Sequence, residues 1–140
     1  MPKITLPDPC PLCGRVDAVR VAGDLACAWC GWRFGDAPDA DLPRPIVEVV
    51  YYLRYDRRVK IGTSGRPRQR LAAIRHEELL AFEPGGRDVE QARHREFASI
   101  REGGEWFTFT TELEHHVAAL RTTRDPWQLY ARWVAVAMQR

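Results

Sequence analysis

The chain has 140 residues, 45% of them hydrophobic and 29% charged, which suits one or two small packed domains and excludes a large multidomain machine or a wholly disordered chain. A formal charge of +2 selects no partner class by itself, and no stretch approaches the ~18 apolar residues of a membrane span. All four cysteines lie between positions 10 and 30, and no apolar run of signal-peptide length follows the opening residues. That combination points to a cytoplasmic protein, where paired cysteines serve as metal ligands more often than as disulfides.

In chain order, Cys10-x-x-Cys13-Gly14 and Cys27-x-x-Cys30-Gly31 form two knuckles separated by thirteen residues. Each knuckle aims two sulfurs at one ion, the following glycine permits the tight turn, and two knuckles complete a tetrahedral four-thiolate shell. Val16, Val19, Val21 and Leu25 flank Ala22-Gly23-Asp24 as in a hairpin, and Trp29 and Trp32 are expected to cover the small core or pack on the second unit, with stacking on nucleic-acid bases as the alternative. Residues 1–35 resemble a zinc ribbon, which implies a structural Zn²⁺ with no coordination position left for substrate and a unit that aids nucleic-acid or partner binding.

Three prolines and three aspartates mark residues 36–45 as a linker. Ile46 to Leu53 reads as a strand, 54–58 as a turn, and Val59 to Thr63 as a returning strand, together an antiparallel hairpin. Pro67 opens a helix with Leu71 and Ile74 on its buried side. Leu79 to Phe82 reads as a third, central strand, and helical patterning runs from Val89 to Ile100. A short aromatic segment spans 105–109, and Thr111-x-x-Glu114 reads as a capping box ahead of a further helix. Asp125-Pro126 starts the last helix, with Trp127, Tyr130, Trp133, Val134 and Ala137 near one face. That face either packs on its own domain or joins two copies in a homodimer. The expected fold class is α+β: a small antiparallel sheet flanked by helices over 46–124, preceded by the four-cysteine unit and followed by an amphipathic helix over 125–140.

Charge is concentrated. From Arg54 to Arg75, eight basic residues face one acid, Asp56, leaving +7. Arg57, Arg58, Arg66, Arg68 and Arg75 are therefore candidate phosphate ligands on DNA.

Val49-Val50-Tyr51-Tyr52-Leu53, then Lys60-Ile61-Gly62-Thr63, then Arg70, Glu90-x-x-x-His94 and Gly104-Glu105-Trp106-Phe107 occur in the order found in the GIY-YIG nuclease superfamily. They are most similar to the branch with Lys-Ile-Gly in the second motif, which occurs in bacteriophage proteins and fungal meiotically up-regulated proteins. The resemblance spans residues 47–121 and implies a metal-dependent phosphodiesterase cutting one DNA strand per site. It implies Glu90 as the carboxylate holding Mg²⁺ or Mn²⁺, Arg70 as the transition-state clamp and Tyr51 beside the metal. His94 is either a water-orienting or proton-shuttling group or a packing residue, and Glu105 is an auxiliary acid. Such roles match what phosphodiester cleavage needs: an activated water, neutralised phosphate charge and help for the departing oxyanion.

Glu90, His94, Phe97 and Arg101 fall on one helical stripe. Two positions depart from the superfamily pattern. Val49 stands where the first motif has glycine, and Lys60 stands where the second tyrosine, often considered the general base, is found. Lys60 acts as a base only if burial or the cations Arg57, Arg58 and Arg70 depress its pKa; otherwise it binds phosphate. The alternative function is a non-catalytic nucleic-acid-binding or regulatory module on the same fold.

Overall fold

In the computed structural model residues 3–139 are described. The elements are β1 (Ile4–Thr5), β2 (Asp17–Val21), β3 (Asp24–Cys27), β4 (Val49–Tyr55), β5 (Arg58–Ser64), α1 (Pro67–Ala72) and β6 (Glu78–Pro84). They continue as α2 (Arg87–Glu96), β7 (Arg101–Gly103), β8 (Trp106–Thr108), α3 (Thr111–Arg121) and α4 (Pro126–Met138). The architecture is α+β, with antiparallel sheets, flanking helices and a four-cysteine cluster near the N-terminus. The chain divides into residues 1–45 with 127–140 as one unit and 46–126 as the other. No helix among the described residues is long and apolar enough to cross a membrane.

In the first unit β1, β2 and β3 form a three-stranded antiparallel sheet. Its core is Leu6, Cys10, Cys27, Cys30, Trp32 and Ala135, so the sulfurs supply apolar mass that the short segment otherwise lacks. Trp32 is buried and its indole N–H reaches the Asp36 carbonyl at 2.9 Å, whereas Trp29 is half-buried beneath the Arg15 guanidinium at 3.6 Å.

The last helix belongs to this unit; Trp127, Tyr130 and Trp133 are half-buried on it, and a second stripe meets the cysteine core. Ala131, Ala135 and Met138 pack on the cysteine core, and Gln128 and Arg132 donate to the Ala28 carbonyl at 3.4 and 3.0 Å. The spacing 128, 131, 132, 135, 138 is one helical stripe.

In the second unit β-branched and aromatic residues build a five-stranded antiparallel sheet in the order β6-β4-β5-β8-β7. Asp56 closes the β4–β5 hairpin in the left-handed region at φ 57°, which an aspartate tolerates better than most residues. β6 lies at the sheet edge rather than at its centre, because β5 takes the other side of β4 and is itself covered by β8.

Alternation sorts the side chains. Tyr51, Gly62, Leu53, Lys60, Tyr55, Arg58 and Trp106 share one face by register. Val50, Tyr52, Val59, Ile61 and Phe107 share the other and form the core with Phe97, Leu113 and Val117 from the helical segments. Trp106 and Phe107 thus part company: Phe107 is core and Trp106 is half-buried on the first face.

Acidic Asp88 and Glu90 in the first turn of α2 and Arg93, His94 and Arg95 in its last match the helix dipole. The helix stops at Glu96, so Arg101 lies in β7 and the stripe is confined to Glu90, His94 and the capping Phe97. At α3 the N-cap is Thr110, not Thr111; its hydroxyl accepts from the Leu113 N–H at 3.3 Å.

Candidate functional site

β4, α1 and α2 deliver the main side chains of the site. Tyr51 is directly opposite Gly62, and the missing Cβ makes room for the phenol, which is only 1% exposed. From α1, Arg70 donates through Nε to the Tyr51 hydroxyl at 3.4 Å while the arginine as a whole remains exposed. Burial raises the Tyr51 pKa, with the Glu105 and Glu90 charges acting in the same direction and Arg70 opposing them. The phenol therefore stays protonated. The bond to Tyr51 also raises the pKa of the Arg70 guanidinium, fixing its charge.

Glu90 is 9% exposed on α2. Thr63, one residue beyond Gly62, donates its hydroxyl proton to Glu90 Oε2, and Glu90 Oε1 lies 3.7 Å from His94 Nε2. That nitrogen also lies 2.8 Å from the Ile61 carbonyl, to which it donates, and the ring packs on Phe107 at 5.1 Å. His94 therefore ties α2 to β5. Arg93 does not pair with Glu90; it reaches Glu83 and Glu96.

Lys60 is paired with Glu105 at 3.4 Å and stands 5.5 Å from the centre of the Trp106 ring. Within the basic strip, Arg54 is engaged by Glu77 at 3.5 Å and Glu78 at 3.2 Å, which reduces the charge on offer. Arg57, Arg66, Arg68 and Arg75 are exposed, and Arg58 is half-buried with its guanidinium over Trp106 at 4.5 Å.

Sequence patterning missed a polar network on the opposite sheet face. Tyr52 donates to Glu83 at 2.8 Å, which uses its single proton, so His116 Nε2 donates to the Tyr52 oxygen at 3.0 Å. Arg93 grips Glu83 through Nε at 3.0 Å and a terminal nitrogen at 2.5 Å. A tyrosine on an apolar face is the one sequence cue, since a buried phenol needs a partner for its hydroxyl.

The four cysteine sulfurs lie within 4.8 Å of one another, with 3.7 Å between Cys10 and Cys30 and 3.5 Å between Cys13 and Cys27. A tetrahedral ion bonded to sulfur at about 2.3 Å needs sulfur separations of about 3.8 Å, so the donor set fits a thiophilic metal. The knuckle turns close through Gly14 N–H to Cys10 O at 2.8 Å and Gly31 N–H to Cys27 O at 2.9 Å, both glycines at φ near +80°. Burial lifts the Cys13 thiol to about 11, whereas at Cys27 backbone N–H groups of Cys30 and Trp29 outweigh burial and lower it. Among the described residues this is the one cluster of three or more metal-ligating groups.

Residues 48–128 match the family described as the T5orf172 domain. No curated protein and no solved structure matches the chain.

Proposed function

We propose, from the premise that the chain belongs to the T5orf172 domain family, a phage-associated group of endonuclease-type domains, that residues 46–124 form a GIY-YIG-type endonuclease cutting DNA phosphodiester bonds. The observation that carries this reading is Arg70 of α1 bonded through Nε to the buried Tyr51 hydroxyl of β4, with Glu90 of α2 held by Thr63, one residue beyond the Gly62 that faces Tyr51.

Arg70 has its Nε on Tyr51, which leaves the terminal nitrogens for two phosphate oxygens. Tyr51 stays a neutral phenol, accepts from Arg70 and donates its own proton to the water or the phosphate. Lys60, anchored by Glu105, supplies positive charge to the phosphate rather than acting as the base. His94 is a positioning residue that holds Glu90 near β5. Glu90 is the carboxylate that would hold Mg²⁺ or Mn²⁺, and a single protein carboxylate is a mode these ions accept when phosphate and water complete the shell. When bound there, the ion lowers the pKa of a coordinated water and neutralises charge on the phosphate.

The cysteine unit holds one structural Zn²⁺ and serves as a ribbon contacting nucleic acid or a partner, in a cytoplasmic protein. The non-catalytic alternative keeps one observation in its favour, Lys60 paired with Glu105 where the superfamily has a tyrosine.

The test is nicking of supercoiled DNA with Mg²⁺ or Mn²⁺ by the full chain, Glu90→Ala and Arg70→Ala. Each substitution is expected to cost about 10²-fold or more. Equal rates in the variants, or no cleavage by the unaltered chain, overturns the enzyme and leaves the binding module.

A further inference from the structure

Tyr55, Arg58, Lys60 and Trp106 share the sheet face of Tyr51 and Gly62. Along that face cations and aromatic rings alternate. Lys60 Nζ lies 5.5 Å from the centre of the Trp106 ring and Arg58 Cζ lies 4.5 Å from it. Arg58 Cζ is also 6.0 Å from the Tyr55 ring, and Arg75 Cζ is 5.3 Å from that same ring. The ladder runs Lys60, Trp106, Arg58, Tyr55, Arg75, starting at the lysine paired with Glu105 and ending beyond α1. Both rings are half-buried and neither belongs to a core cluster.

Positive charge alone suits any nucleic acid, because the phosphates of a duplex lie on its outside. Aromatic rings between the charges suit something narrower. The bases of a duplex are already stacked on one another, whereas those of an unpaired strand stack on protein rings while its phosphates meet the intervening cations.

We propose that this ladder is the track of an unpaired DNA strand, with bases on Trp106 and Tyr55 and phosphates on Lys60, Arg58 and Arg75. The phosphodiester presented to Arg70 and Glu90 then belongs to a single-stranded segment or to the unpaired arm of a branched molecule. This rests on the nuclease reading and adds the substrate class to it.

Binding of fluorescein-labelled oligothymidylate and of a duplex of equal length to the full chain, without added Mg²⁺ or Mn²⁺, tests the track by fluorescence anisotropy. The single strand is expected to bind more tightly. Trp106→Ala and Tyr55→Ala should each weaken it about five- to a hundredfold and leave duplex binding unchanged. Trp106→Phe, which keeps a ring, should recover most of the loss. Tyr55→Ala serves as the second arm should Trp106→Ala fail to fold, which circular dichroism reports. Duplex bound as tightly as single strand, or equal losses on both ligands, overturns the track. If nicking persists in that case, the track alone falls; if no DNA is bound and none is cut, the nuclease reading falls with it.

Discussion

The Tyr51 side chain lies against the bare Cα of Gly62, its partner in the β4–β5 ladder: a Cβ there would stand 2.6 Å from Tyr51 Cζ and nearer still to the hydroxyl. Gly62→Ala must therefore push the phenol away from Arg70 or spread the two strands. Overpacking of this kind costs about 1–3 kcal/mol, and a displacement near 1 Å at a reacting centre costs about a hundredfold in rate. Thermal unfolding and supercoiled-DNA nicking check both effects. A fully active Gly62→Ala would show that the position of Tyr51 is irrelevant to the chemistry.

The network beneath the sheet predicts acid sensitivity. Burial, helped by the Arg93 charge, lowers the His116 pKa below its ordinary 6.5. For Glu83, burial opposes ionisation, but bonds from Arg93 and Tyr52 outweigh it and lower the pKa below the ordinary 4.5. Both groups bind fewer protons folded than unfolded, so their contribution is present at neutral pH and lost on acidification. The loss begins below pH 6.5 with His116 and continues below pH 4.5 with Glu83. Melting temperature against pH should show two descending limbs, of which His116→Gln removes the first and spares the second.

Arg93 sits three residues after Glu90 on α2 and is held by a carboxylate on β6. Removing the guanidinium leaves the Glu83 charge buried without its main partner, a change that costs about 3–5 kcal/mol. Arg93→Ala should lower the urea midpoint by a corresponding amount, and Glu83→Gln in the same chain should restore part of it. Additive losses in that double-mutant cycle would refute the pairing.

Metal loss should be felt in α4. Ala131, Ala135 and Met138 pack on the cysteine core, and Arg132 donates to Ala28, which lies between Cys27 and Cys30. A bound ion holds that loop, and structural zinc contributes about 10–16 kcal/mol to small folds. Chelation, or Cys27→Ser, should speed hydrogen exchange at α4 amides while those of β4 and β5 remain protected. Unchanged exchange in α4 would separate the helix from the metal unit.

The cysteine cluster and the order of Tyr51, Lys60, Arg70 and Glu90 were legible because each depends on local spacing or on motif succession. Nothing local marks Thr63, although it follows Gly62 directly, because its contact forms only when α2 brings Glu90 to the end of β5. Tyr52 and His116 are 64 residues apart and meet only through the packing of α3 on the sheet. The stripe of α4 that meets the cysteine core was not legible for a different reason. Side-chain size draws attention to Trp127, Tyr130 and Trp133, whereas the α4 residues packed on the cysteine core are Ala131, Ala135 and Met138. The fold class followed from alternation and turn residues; the neighbour order of β6 did not, since strand order rests on long-range pairing.

Lys60 decides how far the site departs from the superfamily pattern. Its ammonium group is held by Glu105 at 3.4 Å, on the face that carries Tyr51. If its part is to present positive charge to phosphate, Lys60→Arg keeps the charge and should retain most of the nicking rate, whereas Lys60→Met should lose about tenfold or more. If it takes a proton from water, both substitutions fail alike, because a guanidinium does not deprotonate in this pH range. Lys60→Tyr restores the superfamily residue but leaves Glu105 without its cation. Under the charge role it should lose rate as Lys60→Met does, with part recovered by Glu105→Gln; under the base role the tyrosine supplies the proton acceptor and the rate is retained without the second change. Single-turnover nicking rates of the four variants across pH 6–9 separate the two: a base adds a rising limb that vanishes in Lys60→Arg, and a phosphate ligand leaves the profile's shape unchanged.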